Sequence, residues 1–400
     1  MENKISLLRP CPICGENQGL NLHTQKFALP EKAVLPSKYD VVSCCNCGFC
    51  FADTPASQKE YDQYYNEMSK YEDKNTRTGG GFSVFDKIRM DKVIDLLTDK
   101  IGDKTKSIVD VGCANGGMLT CLAERGYTNL TGIDISHKCI DNVRRLGFNS
   151  LFGGIFNIEN LKGQTFDCLT VSHVMEHIRD LKQGAANLVS LLNPDGMIYI
   201  EVPDASRYPD YYFVPYYYFD CEHINHLSII SLKNLFQQQG MECVYFEEGI
   251  VPVTDDKDYP VLRALFKKNS AVDKTTSPEK DTLVKESIHK YIALSKANDG
   301  FSELEKLNSQ NSEILVWGAG MYTLRLLQDS PLAKSNIRFF IDKDSKKQGN
   351  RINGIEIVSP DILNQYQDNP IIIASAIYGK AIREEVLEID GRSNRVTIVL

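Results

Sequence analysis

Two cysteine pairs near the start of the chain have the spacing of metal-binding knuckles. Cys11 and Cys14 form one C-x-x-C pair, and Cys44 and Cys47 form the other. Two residues between thiolates allow both sulfurs to face one ion, and four such sulfurs favour tetrahedral zinc. Because four protein ligands leave no open position, we expect this zinc to be structural. Cys47 and Cys50 form an alternative second pair, and a set of free cysteines without metal is the other alternative.

A glycine-rich turn suggests a second kind of chemistry. Asp110 precedes Gly112 by two residues, and Gly116 ends the turn where a helix begins. Glycines permit a ligand to approach the backbone closely, but the Asp110 carboxylate would repel a pyrophosphate. The Asp110 carboxylate can instead pair with a cationic amino-acid head group. Asp134, at the end of the next strand, can accept hydrogen bonds from the hydroxyls of a ribose. An amino acid joined to a nucleoside without phosphate describes S-adenosylmethionine.

At these residues the sequence resembles the class I S-adenosylmethionine-dependent methyltransferases. Residues 110–116 match the first motif of that family, with Ala114 where the middle glycine usually stands. Residues 166–177 resemble the fourth strand and the segment that follows it, and the whole resemblance runs from about 105 to 250. The expected cofactor-binding residues are Asp110, Gly112, Ala114, Gly116, Asp134, Ile135 and His173. His173 is expected to contact either the cofactor or the substrate, because it lies at the carboxyl end of a sheet strand.

Two histidines later in the chain are candidates for the base that removes a proton from the methyl acceptor. His223 and His226 are three residues apart, and an imidazole can take a proton at neutral pH. The chain also resembles, over all its parts, sugar C-methyltransferases with an N-terminal zinc domain and a C-terminal Rossmann-like domain. His226 stands where that family has a histidine proposed as the base, within a Tyr-His-Glu-His run. Because His223 and Asn225 replace the tyrosine and the glutamate, oxygen methylation competes with carbon methylation.

Other residues near the predicted cofactor are less specific. Glu176 and His177 follow His173 by one turn, and a structural role is favoured for both. The tyrosine-rich stretch 64–71 resembles a lid in related methyltransferases. Its side chains either cover the cofactor or pack the cysteine segment, residues 1–55, onto the core.

Apolar runs typical of strands alternate with amphipathic patterns typical of helices. These predicted strands and helices must position the candidate residues. From Ser107 onward this alternation predicts parallel sheets with crossover helices. The expected fold class is α/β: a class I methyltransferase Rossmann-like sheet with an N-terminal zinc ribbon and a second, C-terminal Rossmann-like domain. The predicted strands are residues 107–111, 130–134, 166–171, 197–202, 314–317, 337–341, 371–374 and 396–400.

Changes in composition divide the chain into four predicted segments. Residues 1–55 form the zinc ribbon, and residues 56–266 form the methyltransferase domain, with Gly79–Gly81 as a flexible joint. Residues 267–312 form a polar helical connector, and residues 313–400 form the Rossmann-like C-terminal domain.

The last segment has a glycine turn of its own. Gly318 and Gly320 follow a predicted strand, and Asp342 ends the next one. These three residues are candidates to bind the nucleotide end of a substrate. A nicotinamide nucleotide at the same turn is one alternative. A domain that only packs against the catalytic one is another.

Composition excludes several classes of function. The 400 residues carry a formal net charge of −8, which disfavours a protein that grips nucleic acid. No apolar run approaches the roughly 18 residues that a membrane span needs. The first residues have no apolar signal-peptide core, so we expect a cytoplasmic protein without a membrane partner.

These observations lead to one expected function and two alternatives. We expect methyl transfer from S-adenosylmethionine to carbon or oxygen of a sugar, with a nucleotide-linked sugar favoured, in surface polysaccharide or secondary-metabolite biosynthesis. The expected cofactors are S-adenosylmethionine and structural Zn²⁺. A zinc-ribbon RNA methyltransferase and a non-catalytic binding scaffold are the alternatives, and the sequence leaves the oligomeric state open.

Overall fold

The computed structural model describes most of the chain. The described residues are 3–29, 33–68, 81–156, 163–254, 256–298, 300–391 and 397–399. Parts of three sequence predictions lie outside them: residues 69–71 of the tyrosine-rich stretch, Gly79 and Gly80 of the joint, and Val396 and Leu400 of the last strand.

Strands and helices alternate through much of the described chain. The first strands are β1 (Lys4–Ser6), β2 (Gln18–Lys26), β3 (Lys38–Cys44), β4 (Cys50–Asp53), β5 (Ile108–Val111), β6 (Leu130–Asp134), β7 (Asn149–Phe152), β8 (Phe166–Ser172) and β9 (Leu192–Pro203). The later ones are β10 (Asn225–His226), β11 (Met241–Thr254), β12 (Lys257–Lys268), β13 (Glu313–Trp317), β14 (Asn336–Ile341), β15 (Arg351–Ile352), β16 (Ile355–Val358), β17 (Ile371–Ile373) and β18 (Thr397–Val399). The helices are α1 (Gln58–Met68), α2 (Val84–Ile101), α3 (Gly117–Glu124), α4 (His137–Arg145), α5 (Leu181–Ser190), α6 (Ile229–Gln237), α7 (Leu283–Lys296), α8 (Ser302–Ser309), α9 (Met321–Asp329) and α10 (Gly379–Asp390).

The chain divides into two compact units, each built from segments that are distant in sequence. The first unit takes Met1–Leu22, Val42–Tyr211 and Glu222–Ile288, and the second takes His23–Val41, Tyr212–Cys221 and His289–Leu400. The division into four consecutive segments stays a prediction.

A seven-stranded sheet dominates the first unit. Its order is β11-β12-β9-β8-β5-β6-β7, and its strands are parallel except for β12, which runs antiparallel to β9 and β11. All four residues of β5 are buried, as expected for a parallel strand covered on both faces. The chain order reverses on either side of β5, and the carboxyl ends of strands at such a point form a ligand-binding crevice. The α/β sheet predicted from the sequence is confirmed, and this reversal locates its ligand edge.

The cysteine segment belongs to a smaller sheet of order β1-β2-β3-β4-β10. The edge strand β10 comes from a distant part of the chain and pairs antiparallel with β4, with Asn225 opposite Phe51 and His226 opposite Cys50. The segment with the candidate histidines is therefore attached directly to the cysteine segment.

The second unit contains a further sheet, of order β15-β16-β14-β13-β17-β18. Its strands are parallel except for β15, which is antiparallel to β16. The chain order reverses at β13, where the predicted Gly318–Gly320 turn begins. Among the described residues, no helix combines the length and the apolar character needed to cross a membrane.

Candidate functional site

The glycine-rich turn lies at the carboxyl end of β5. Gly112 has a φ of 76°, and a β-carbon at this position would lie 2.5 Å from Cγ2 of Val174. Only glycine therefore satisfies both the left-handed backbone and the close neighbour. The turn ends at Gly116, which precedes the first residue of α3.

Ala114 and Asp134 connect this turn to the end of β6. The Ala114 amide donates to Asp134 Oδ2 over 2.9 Å, and the Ser136 amide donates to Oδ1 over 2.8 Å. The carboxylate is thus held at the crevice, and Ile135 follows it there, half-buried. Ala114 has a φ of 44°, which is strained for a residue with a β-carbon.

Asp110 lies one residue before the end of β5 and is buried. Its Oδ1 accepts a hydrogen bond of 2.7 Å from the Thr170 hydroxyl on the adjacent strand. Burial raises the pKa of Asp110 to about 6, because the charged carboxylate has lost its water. A cationic ammonium group at this place would restore the ionised form.

His173 directly follows β8 and has a φ of 54°, in the left-handed region. Its Nδ1 donates to Glu176 Oε1 over 3.1 Å, and its Nε2 lies 3.4 Å from Glu201 Oε1. Burial alone would lower the pKa of His173, but the two carboxylates outweigh it and raise the pKa to about 8. Strain at the ligand edge of a sheet is often associated with function. His173, the predicted cofactor contact, therefore lies at the crevice between two carboxylates that favour its protonated form.

Glu201, which is not among the residues predicted from the sequence, is the centre of a buried charge network. It lies on β9, fully buried, and Oε2 accepts from Arg263 Nε over 2.7 Å. Arg89 Nη1 approaches Oε1 at 3.3 Å. The signal was present, because Glu201 and Arg263 each interrupt an apolar strand run, and buried charges require partners.

Glu176, His177 and His223 form a group beside His173. One carboxylate oxygen and two ring nitrogens from these residues lie within 4.8 Å of one another. His177 Nδ1 donates to the Glu222 carbonyl over 3.0 Å and lies 2.6 Å from the Tyr65 hydroxyl.

Two features of this group matter for proton transfer. Burial would raise the pKa of Glu176, but the hydrogen bond with His173 and the nearby imidazoles lower it to about 2. Among the described residues, no hydrogen-bond partner reaches Glu176 Oε2. The half-buried His223 therefore lies near an ionised carboxylate.

His226, the other candidate base, has a different environment. It lies on β10 with its side chain fully buried. Burial, together with the smaller effect of the Arg9 charge, lowers its pKa to about 3. A base needs access to the substrate and a pKa near neutrality. This placement weighs against His226 and in favour of His223.

The four predicted zinc ligands converge. The sulfurs of Cys11, Cys14, Cys44 and Cys47 lie within 4.8 Å of one another. The Cys11–Cys47 and Cys14–Cys44 sulfur distances are 3.6 and 3.5 Å. Zinc–sulfur bonds of about 2.3 Å in a tetrahedron require sulfurs roughly 3.8 Å apart, so the group fits this ion. Cys50 does not belong to it and contacts the Gly48 carbonyl through its own sulfur instead.

The glycine turn of the second unit has a similar local arrangement. The Ala319 amide donates to Asp342 Oδ2 over 3.0 Å, and Lys347 Nζ approaches the same oxygen at 2.9 Å. Gly318 lies close to the Ala374 carbonyl, and Gly320 precedes α9. The three predicted residues therefore lie together, and Lys347, which was not predicted, lies beside them.

Comparisons with known proteins agree with this geometry. A family model described as methyltransferase domain matches residues 85–245, and a model described as C2185-like, N-terminal, matches residues 310–397. The ubiquinone biosynthesis O-methyltransferase of Neisseria meningitidis serogroup C (strain 053442) is 24% identical over 155 residues, which are 36% of this chain and 64% of that protein. The protein of the same name from Rickettsia canadensis (strain McKiel) is 32% identical over 120 residues, which are 28% of this chain and 50% of that protein.

This chain therefore spans between half and two thirds of the length of these relatives. A crystal structure of the Burkholderia thailandensis 1,6-didemethyltoxoflavin-N1-methyltransferase has a TM-score of 0.42 and 16% identity, and the match covers 56% of this chain and 98% of that one. The matched residues 85–245, with the sheet order and the glycine turn at β5, show that the chain contains a class I S-adenosylmethionine-dependent methyltransferase domain.

Proposed function

We propose that this protein transfers the methyl group of S-adenosylmethionine to a small polyhydroxylated acceptor, a sugar, with a nucleotide-linked sugar favoured. The observation that carries the methyl transfer is a pair of carboxylates at the Gly112 turn: Asp110 precedes the turn, and Asp134 accepts from its Ala114 amide. Asp110 pairs with the methionine ammonium, and Asp134, with Ile135 beside it, receives the ribose hydroxyls. Bound S-adenosylmethionine supplies an electrophilic methyl group with its leaving group already in place.

The chain's own residues then have to position the acceptor and move one proton. We assign the proton to a ring nitrogen of His223, with Glu176 as the ionised partner that stabilises the imidazolium. His173 is held between two carboxylates and orients Glu176. The Tyr64 hydroxyl, which donates to Glu222 Oε1 over 2.9 Å, adds a polar group to the same surface.

Several observations favour a sugar over a large apolar acceptor. The residues around His223 are carboxylates, imidazoles and tyrosine hydroxyls, which match the hydroxyls of a sugar. The net charge of −8 disfavours RNA. We further propose that Gly318, Gly320 and Asp342 bind a nucleotide, because Lys347 places a cation beside that turn. Surface polysaccharide or secondary-metabolite biosynthesis is the setting that such a substrate implies.

A second candidate function is O-methylation of a small phenolic compound. The names of the curated relatives favour it, because both are ubiquinone biosynthesis O-methyltransferases. The same His223–Glu176 pair could deprotonate a phenol.

A substrate panel separates these candidates. The protein is incubated with S-adenosylmethionine and either nucleotide sugars or catechols and hydroxyquinones, and products are detected by mass spectrometry. We expect a mass gain of one methyl group on a nucleotide sugar. Deuterium wash-in from heavy water next to a keto group identifies carbon methylation, and its absence identifies oxygen methylation. Transfer only to phenols favours the second candidate, and calorimetry without S-adenosylmethionine binding contradicts both.

A further inference from the structure

The Asn225 side chain holds the segment that carries Glu176 and His177. Asn225 is 1% exposed. Its Nδ2 donates to the carbonyls of Met175 and Ile178, at 3.0 and 2.6 Å. These two carbonyls lie on either side of Glu176 and His177 in sequence. One amide group therefore binds both ends of the 3-10 turn Met175–His177.

The neighbouring backbone strengthens this attachment. The Ile224 amide donates to the Glu176 carbonyl over 2.9 Å. Ile224 and Asn225 together therefore bind three carbonyls of residues 175–178. His223, the proposed base, directly precedes them in the chain, so one short segment carries the base and holds its partner carboxylate.

The amide oxygen of Asn225 has a partner of its own in Arg9. Arg9 Nη2 donates to Oδ1 over 2.9 Å, and Nη1 donates to the Arg179 carbonyl over 3.0 Å. The guanidinium lies over the Phe51 ring at 4.9 Å. Arg9 is 1% exposed, and an arginine guanidinium stays charged at neutral pH. A charged donor to Oδ1 orients the amide so that Nδ2 faces the two carbonyls.

Arg9 is itself fixed by the cysteine segment. The Asp53 carboxylate accepts from the backbone amides of Leu8 and Arg9, at 2.9 to 3.0 Å. Asp53 ends β4, and Arg9 lies two residues before Cys11. A continuous chain of hydrogen bonds thus runs from the cysteine segment through Arg9 and Asn225 to residues 175–178.

We infer that Asn225 is a positioning residue, which acts through residues 175–178 to place Glu176 and His177 against His223. This inference rests on the proposed function of His223. The position requires an amide, because it must accept from a cation and donate to two carbonyls at once. A carboxylate of the same shape would present lone pairs to the Met175 and Ile178 carbonyls. The Asn225 side chain thus acts within the protein, on residues 175–178.

The test compares two isosteric changes of buried asparagines. Asn225→Asp replaces the two donated hydrogen bonds by repulsion. Asn234→Asp is the matched control, because Asn234 is also buried, donates to the Glu279 carbonyl over 2.8 Å and lies on α6. Both variants are prepared with ¹³C-labelled histidine, and the ring signals are assigned through single histidine substitutions.

We expect Asn225→Asp to shift the ring signals of His177 and His223 and to leave those of His137 and His289 in place. Its affinity for S-adenosylmethionine should stay within about twofold, while kcat should fall roughly ten- to hundredfold because a small displacement misaligns the proton transfer. Asn234→Asp should move neither ring signal. Arg9→Lys, which keeps the charge but not the two-pronged donor, should move the same two signals less far.

Unshifted His177 and His223 signals in Asn225→Asp would overturn the inference, as would equal shifts in Asn234→Asp. If Asn225→Asp does not fold, Arg9→Lys decides in the same way. The ring signals do not depend on turnover, so a wild-type protein that methylates no acceptor would contradict the proposed function and leave the positioning result readable.

Discussion

At the scale of single residues, burial distinguishes the two candidate bases. His223 is half-buried beside the ionised Glu176, whereas His226 is fully buried on β10 with a pKa of about 3. Sequence alone could identify both imidazoles but not which of them is fully buried. Residue spacing carries no information about depth when a short strand pairs with a partner far away in the chain.

We expect His223→Ala to reduce kcat by on the order of a hundredfold or more, because no base then removes the proton from the methyl acceptor. The affinity for S-adenosylmethionine, measured by calorimetry, should not change. His289→Ala on the exposed face of α7 is the control and should keep full activity. A kcat within twofold of wild type for His223→Ala would remove His223 from the mechanism.

We expect the affinity for S-adenosylmethionine to depend on the ionisation of Asp110. Its pKa of about 6 is raised, so the carboxylate is charged above about pH 7 and takes a proton as the pH falls through 6. Only the charged form pairs with an ammonium group. The dissociation constant should therefore rise roughly tenfold from pH 7 to pH 5.

Calorimetry across this pH range tests the dependence. Asp110→Asn provides the control, because an amide cannot titrate and its weaker binding should be nearly independent of pH. An equal pH dependence in the variant would assign the effect to another group.

The backbone conformation of Ala114 is strained and lowers the free energy of unfolding. Its φ of 44° places a β-carbon in the left-handed region, at about 1 kcal/mol. We expect Ala114→Gly to raise the free energy of unfolding slightly, by up to about 1 kcal/mol. Gly112→Ala, which adds both a strained backbone and a clash with Val174, should lower it. Urea denaturation of the two variants measures the opposite signs, and the same sign in both would contradict this account.

At the scale of elements, the cross-strand pair of β9 and β12 stabilises the sheet next to the crevice. Glu201 and Arg263 lie opposite each other in the register, and both side chains are buried. Arg263→Leu removes one cation from Glu201, which keeps Arg89, His173 and the hydroxyls of Ser172 and Tyr199 as partners. We expect it to lower the free energy of unfolding by about 3 kcal/mol, at the low end for a broken buried pair.

The double variant Glu201→Leu with Arg263→Leu tests the cause. Replacing both charges by apolar groups removes the uncompensated carboxylate, so the double variant should be more stable than Arg263→Leu alone. Denaturant unfolding of both variants measures the difference. A double variant at least as unstable as the single one would show that packing, not charge, dominates.

The central strands were predictable from sequence, and their surroundings were only partly so. β5, β6 and β8 are short apolar runs that parallel sheets bury on both faces, and their observed bounds differ from the predicted ones by at most one residue. β10 has two residues and no periodic pattern, so only the folded chain reveals it. The charge network around Glu201 combines residues from three elements, and no sequence motif links them.

At the scale of the whole molecule, the cysteine segment supports residues far from it in sequence. If a metal ion bound by the four cysteine sulfurs were removed, the negative thiolates would lie close together with no cation between them. We expect wild type to contain one equivalent of zinc by elemental analysis and to melt at a lower temperature after chelation. Cys14→Ser should lose the metal. Cys45→Ser, a neighbour outside the cluster, should retain it, and equal loss in both would contradict the assigned ligands.

The pairing of β4 with β10 also has a consequence for synthesis of the chain. The four cysteines and β4 leave the ribosome early, but the strand that covers the β4 edge is made about 170 residues later. At typical elongation rates this interval is on the order of ten to thirty seconds, during which β4 is an open edge. The nascent cysteine segment therefore passes through a stage in which it can bind metal but can also pair with a foreign strand. In zinc-poor cells we therefore expect more of the nascent chain to aggregate during translation, which lowers the yield of folded protein.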